Sequence, residues 1–268
     1  MCRGLFCFTR EVICVRSQTY CFDKDVLYRE VSVQHPIIEA YFEFYNPDHK
    51  PIIVIPDGAS DFLFLYMQDQ PAVYLGGTAL KGRNRIIPID GKAFGVRVRP
   101  GIVFDCFRNR LCDIVDSAIC LNNVAPFGNL LKQMSCTKTF YERVHLFNDA
   151  LPIWADVRLH PITKFILSNV NNEACNAVLD EFIAETGYSH VHVNRVFKAE
   201  TGLSLKFFVD TLRMQKAIYL MRHQSIGNMQ VFSAEMGFYD QPHFSKTFKY
   251  YTCYSPKKFY KNFKLPVT

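Results

Sequence analysis

The chain has 268 residues, 49% apolar and 21% charged, with a formal charge of +6; these are proportions of a folded globular protein long enough for two domains, not of a disordered one. No run approaches the ~18 consecutive apolar residues of a membrane span. The opening "MCRGLFCFTREVICVRSQ" lacks a long apolar core and a small-residue cleavage site, so no membrane partner is expected and a cytoplasmic protein is.

Cys2, Cys7, Cys14 and Cys21 crowd the beginning, but none of the ten cysteines forms a CxxC pair. Free thiols in a short apolar region are expected there, rather than a metal or redox cluster. From about Cys14 to Asn122 short apolar runs alternate with turn residues. "KPIIVIPDGASDFLFLYM", "PAVYLGG", "NRIIPIDGKAFGVRVRPG" and "IVFDCF" read as strands divided by Pro-Asp-Gly, Gly-Gly and Asp-Gly turns. Residues 1–122 are therefore expected to form a β-rich domain, a cupin-like barrel or a sandwich.

Within "FGVRVRPG", strand alternation places Phe94, Val96 and Val98 on one side and Arg97 and Arg99 on the other, with Arg83 and Arg85 repeating the spacing nearby. Two readings stay open. Arg97 and Arg99 could hold an anionic effector, because arginine binds carboxylate and phosphate bidentately. They could instead form a solvated face paired with Asp90 or Asp105.

Catalysis has little support in this half. His35, His49 and His145 are far apart, and a metal site in a barrel needs converging histidines and a carboxylate. His190 and His192 form an HxH, but on a helix positions i and i+2 diverge. No phosphate loop, GxGxxG, GxSxG or Pro-Cys-His motif is present. No catalytic residue, metal ligand or cofactor is assigned.

From about Pro126 the texture turns helical. "FGNLLKQMSCTKTFYERVHLFNDALPIWADV" gives a helical connector over 123–162, whose apolar stripe suits either core or a dimer helix. Pro161 marks a boundary, and residues 163–268 read as an all-α domain, making the whole an α+β chain.

This last domain contains one unit written twice. At an offset of 51 residues, Val193 falls on Phe244, Asn194 on Ser245, Arg195 on Lys246, Phe197 on Phe248, Lys198 on Lys249, Thr201 on Thr252, Ser204 on Ser255 and Phe208 on Phe259. In each copy a helix ends at a glycine (Gly187, Gly237), an aromatic follows, and a second helix opens at Ser189 or Asp240. That is helix-turn-helix anatomy. On the second helix Val193, Val196 and Phe197 share an inward face, as do Phe244, Thr247 and Phe248. His190, Val191, Asn194, Arg195 and Lys198 share another, matched by Gln241, Pro242, Ser245, Lys246 and Lys249. Amide, hydroxyl and cationic side chains on a short helix suit the major groove of double-stranded DNA. Ser204 opens a longer helix expected to bury Phe208, Leu212 and Tyr219, to expose Arg213, Lys216 and Arg222, and to set the separation of the two units. After Asp240 there is no acid, while Lys246, Lys249, Lys257, Lys258, Lys261 and Lys264 follow.

"GYSHVHVNRVFKAETGLSLKFFVDTLRMQKA" and "GFYDQPHFSKTFKYYTCYSP" together resemble the DNA-binding domain of the AraC/XylS family of bacterial transcription regulators, in register over the final hundred or so residues. The resemblance implies a seven-helix domain that reads two adjacent major-groove segments, with Val191, Asn194 and Arg195 in the first unit and Gln241, Ser245 and Lys246 in the second at base-contacting positions. It also implies RNA polymerase, a small-molecule effector and a homodimer as partners. The competing reading is a ligand-independent DNA-binding module whose N-terminal domain only dimerises. Four positions depart from the family pattern: Ile183 and Ser233 replace alanine, Cys253 replaces glycine, and His190 stands where proline or lysine is commoner. With Lys246 in place of arginine, bidentate readout is expected to be weaker in the second unit.

Overall fold

The structure is a computed structural model and describes residues 20–21, 27–46, 52–66, 70–85, 92–154, 156–169 and 175–264. Cys2, Cys7, Cys14, His49 and Asp90 lie outside them.

Among the described residues, the N-terminal half holds two antiparallel sheets. The larger runs in the order β2 (Leu27–Ser32), β3 (Ile38–Tyr45), β8 (Lys92–Val98), β5 (Asp61–Leu65), β6 (Ala72–Gly76) and β9 (Ala118–Cys120). The smaller joins β1 (Tyr20–Cys21), β4 (Ile52–Val54) and β7 (Arg83–Arg85). Alternation sorts the large sheet into two apolar faces. On one, Phe62, Phe64, Val73, Phe94, Val96 and Tyr41 pack against helices; on the other, Phe42, Phe44, Leu65 and Ala93 pack against Ile52 of the small sheet. Register makes one glycine necessary. Gly95 lies directly across from Phe42, and a Cβ there would sit 2.0 Å from the Phe42 ring.

The segment expected to connect the halves forms a second layer on the large sheet. After a 3-10 turn (Asp105–Arg110) and the short α1 (Leu111–Ile114) come α2 (Phe127–Ser135) and α3 (Phe140–Trp154). Phe127, Leu130, Met134, Phe140, Phe147 and Leu151 bury their side chains among the sheet's phenylalanines. Stacking of Phe127 on Phe62, with centroids 5.2 Å apart, shows how closely the layers meet. The apolar stripe of the connector is thus core.

Among the described residues seven helices follow: α4 (Pro161–Asn169), α5 (Cys175–Thr186), α6 (His190–Thr201), α7 (Leu205–His223), α8 (Met229–Glu235), α9 (Gln241–Thr252) and α10 (Pro256–Phe263). One apolar cluster gathers Ile162, Ile166, Val193, Phe197, Leu203 and Phe208; another gathers Met214, Ile218, Phe232, Phe244, Phe248 and Phe259. Each cluster also takes in the N-terminal half. Leu80 and Val115 join the first, and Ile53 and Ile55 the second. The run "IIVI" is therefore apolar throughout because β4 faces the large sheet with Ile52 and helices α7–α9 with Ile53.

This docking changes the reading of α7. Arg213, Lys216 and Arg222 are half-buried rather than exposed, and Leu212 and Tyr219 are half-buried rather than buried. Met214, Gln215, Ala217, Ile218 and Met221 form the buried face instead. Gln215 donates to the carbonyl of Pro56 at 2.7 Å, a contact between the two halves.

Candidate nucleic-acid interface

Both units are built by the same local chemistry. Gly187 and Gly237 adopt φ of 70° and 73°, the left-handed conformation that ends α5 and α8. Ser189 caps α6 by accepting from the His192 N–H, and Asp240 caps α9 by accepting from the His243 N–H at 2.7 Å. At the far ends Thr201 and Thr252 repeat each other. Each hydroxyl donates to the carbonyl four residues back, at 2.8 Å in both cases, and accepts from the N–H of Leu203 or Tyr254. Ser204 and Ser255 then cap α7 and α10. α6 ends at Gly202 with φ 76°; α9 ends at Cys253 with φ 63°, a left-handed residue that carries a side chain.

Val193, Phe197, Phe244 and Phe248 are fully buried, so the opposite face of each helix is fixed outward. On α6, His190, Val191, Asn194, Arg195 and Lys198 are exposed; on α9, Gln241, Pro242, Lys246 and Lys249 are exposed, while Ser245 is half-buried. Val191 is 79% exposed. The Arg195 guanidinium lies 3.1 Å from His192 Nδ1, and the His192 ring stacks on Tyr188. His190 Nε2 lies 3.7 Å from Asp180 on α5. Asn194 differs from its neighbours: its Oδ1 accepts from the Leu205 N–H at 3.0 Å.

One exposed residue had no sequence signal. The turn into α9 is longer than the turn into α6, and Tyr239 at its tip is 96% exposed, immediately before the Asp240 cap. An aromatic in a turn reads as core until the turn's course is known. Phe238 takes the core place, packing edge-on against Phe244.

Arg97 and Arg99 are not brought together as an anion clamp. Arg97 is 1% exposed between the two sheets, with Asp61, Glu30 and Asp57 oxygens at 3.4, 3.4 and 3.9 Å and its guanidinium over the Phe42 ring. Despite burial, which favours the neutral form, these carboxylates hold it charged, with a pKa raised well above the usual arginine value. Arg99 donates from Nε to the His35 carbonyl at 2.6 Å. The face opposite Val96 is inside the sandwich rather than in solvent, and Asp105 is not the partner of Arg97. Asp105 pairs with Arg108 and Arg158. Among the described residues no cluster of three or more histidine, cysteine, aspartate or glutamate side chains could hold a metal ion, and no helix is long and apolar enough to cross a membrane.

A family model described as a helix-turn-helix domain matches residues 183–262. Over 108 residues the chain is 29% identical to the HTH-type transcriptional regulator MtrA of Neisseria gonorrhoeae, covering 40% of this chain and 35% of that protein. Over 83 residues it is 30% identical to the Msm operon regulatory protein of Streptococcus mutans, covering 31% of this chain and 30% of that protein. The chain thus spans about a third of the length of the curated relatives it matches. The solved structure of ToxT from Vibrio cholerae is similar over 92% of this chain and 99% of that one, with 11% identity and a TM-score of 0.38. The turns and caps of both units lie within the segment, residues 183–262, that matches the helix-turn-helix domain.

Proposed function

We propose that this protein is a bacterial, sequence-specific DNA-binding transcription regulator. α6 and α9 enter successive major-groove segments, about 34 Å apart along the duplex. The observation that carries this reading is the repeated build: two helices of twelve residues, each capped at both ends, each with its apolar face buried and its amide and cationic face exposed. Leading residues His190, Val191 and Gln241 are placed to meet base edges with Arg195, Ser245 and Lys246. Lys198 and Lys249, further along, meet phosphate.

The β-rich part (residues 1–122) and its helical extension (123–162) act as the regulatory half, and residues 163–268 as the DNA-reading half. The regulatory half grips both units, so a ligand or a second copy that binds it in one arrangement better than in another shifts the spacing or orientation of α6 and α9. A ligand-induced rise in melting temperature favours an effector; its absence, with a dimer in solution, favours regulation by dimerisation alone.

The test is selection of binding sites from a random duplex library with the full chain and with an Arg195→Ala, Lys246→Ala double variant. A bipartite motif spaced by about one helical turn and lost in the variant is the expected result. Salt-sensitive binding without any motif would overturn sequence-specific recognition.

A further inference from the structure

The two recognition helices are anchored to the helices that follow them in different ways, and the difference decides which side chains are available to read bases. α7 opens with Ser204 accepting from the Phe207 N–H at 3.2 Å, which leaves the N–H of Leu205, the first helical residue, to find another acceptor. Leu205 is 7% exposed, so water is a poor substitute. Asn194 supplies the acceptor from α6, across 3.0 Å. A backbone N–H can only donate, so the bonded atom is the amide oxygen and the orientation of this side chain is settled by chemistry.

In the second unit the same need does not arise. The residue aligned with Leu205 is Pro256, which has no N–H, and the residue aligned with Asn194 is Ser245. One unit pairs an acceptor with a donor; the other has dispensed with both. Reading adenine with asparagine takes both ends of the amide in one plane, Oδ1 accepting from N6 and Nδ2 donating to N7. The Oδ1 of Asn194 is aimed instead at the start of α7.

We propose that Asn194 is a positioning residue that sets the angle of α6 against α7, and that base readout in the first unit falls to His190, Val191 and Arg195 without it. The proposal rests on the DNA-binding reading for its consequence but not for its anchor, which thermal stability alone can test.

Three full-length proteins distinguish the roles: wild type, Asn194→Ala, and Asn194→Ala combined with Leu205→Pro, which copies the second unit's solution. Asn194→Ala is expected to lower the melting temperature, as a lost helix cap does, and to weaken binding to the selected site about three- to tenfold without changing the preference at any one base pair. The double variant is expected to recover binding and part of the melting temperature: proline leaves no donor to satisfy, but it fills less of the apolar cluster than Leu205 does. Loss of preference at one base pair in both variants, with the rest of the motif intact, would overturn the proposal and make Asn194 a base reader. An unchanged melting temperature in Asn194→Ala would overturn the anchor itself. A wild-type protein that selects no motif would count against the DNA-binding reading, and the melting temperatures would still decide the anchor.

Discussion

Arg97 and Cys253 are two residues at which chemistry and surroundings conflict. Arg97 keeps a full charge between two sheets because three carboxylates converge on it. Replacing it by methionine leaves those acids without their counter-charge, and a loss of about 3–5 kcal/mol is expected from denaturant midpoints. An Arg97→Met protein that unfolds at the wild-type midpoint would mean that solvent already screens the cluster. Cys253 holds a left-handed conformation that costs a residue with a Cβ about 1–2 kcal/mol. Cys253→Gly relieves that strain but gives the unfolded chain more freedom, worth about 0.4–1 kcal/mol, so a net gain of about 0.5–1 kcal/mol is expected. The check is a melting temperature raised by roughly 1–4 °C.

At the level of elements, α6 and α9 share their caps and their buried faces, and they differ in the cations they offer. Arg195→Ala should cost about 1–3 kcal/mol at its cognate base pair and relax the preference there. Lys249→Ala should weaken specific and random duplex alike and reduce the salt slope by about one unit. Equal losses on both duplexes for Arg195→Ala would remove its role in readout. These helices were legible in the sequence because their signals are local: a glycine, a cap three residues before the N–H it serves, and a period of 3.6. β4 and α7 were legible as elements but not in their exposure. Their outer faces are covered by residues more than a hundred positions away, as with Gln215 and Pro56.

Across the whole molecule the N-terminal half holds both units at once. Glu200 on α6 accepts from Arg108 at 2.8 Å and from the His160 N–H at 3.0 Å, while Gly82 donates to the Tyr250 carbonyl at the end of α9 at 2.9 Å. A Cβ at Gly82 would lie 2.2 Å from the Tyr251 carbonyl oxygen, which is backbone and cannot swing aside. Gly82→Ala should therefore pry the second unit from the sheets. Two results are expected: a lower melting temperature, and greater tolerance when base pairs are inserted between the half-sites. Unchanged spacing selectivity would show that α7 alone fixes the two units.

The sequence by itself determined the two helix-turn-helix units, their caps, their buried aromatic faces and the β-rich texture of the first half, since each of these is set by neighbours within a turn or a strand. Only the tertiary structure decided which polar side chains are spent. Arg97, read as an anion binder or as part of a solvated face, is buried between the sheets among carboxylates, and the Asn194 Oδ1 accepts from the Leu205 N–H. A side chain's type is fixed by the chain, but its partners are fixed by whatever the fold packs against it.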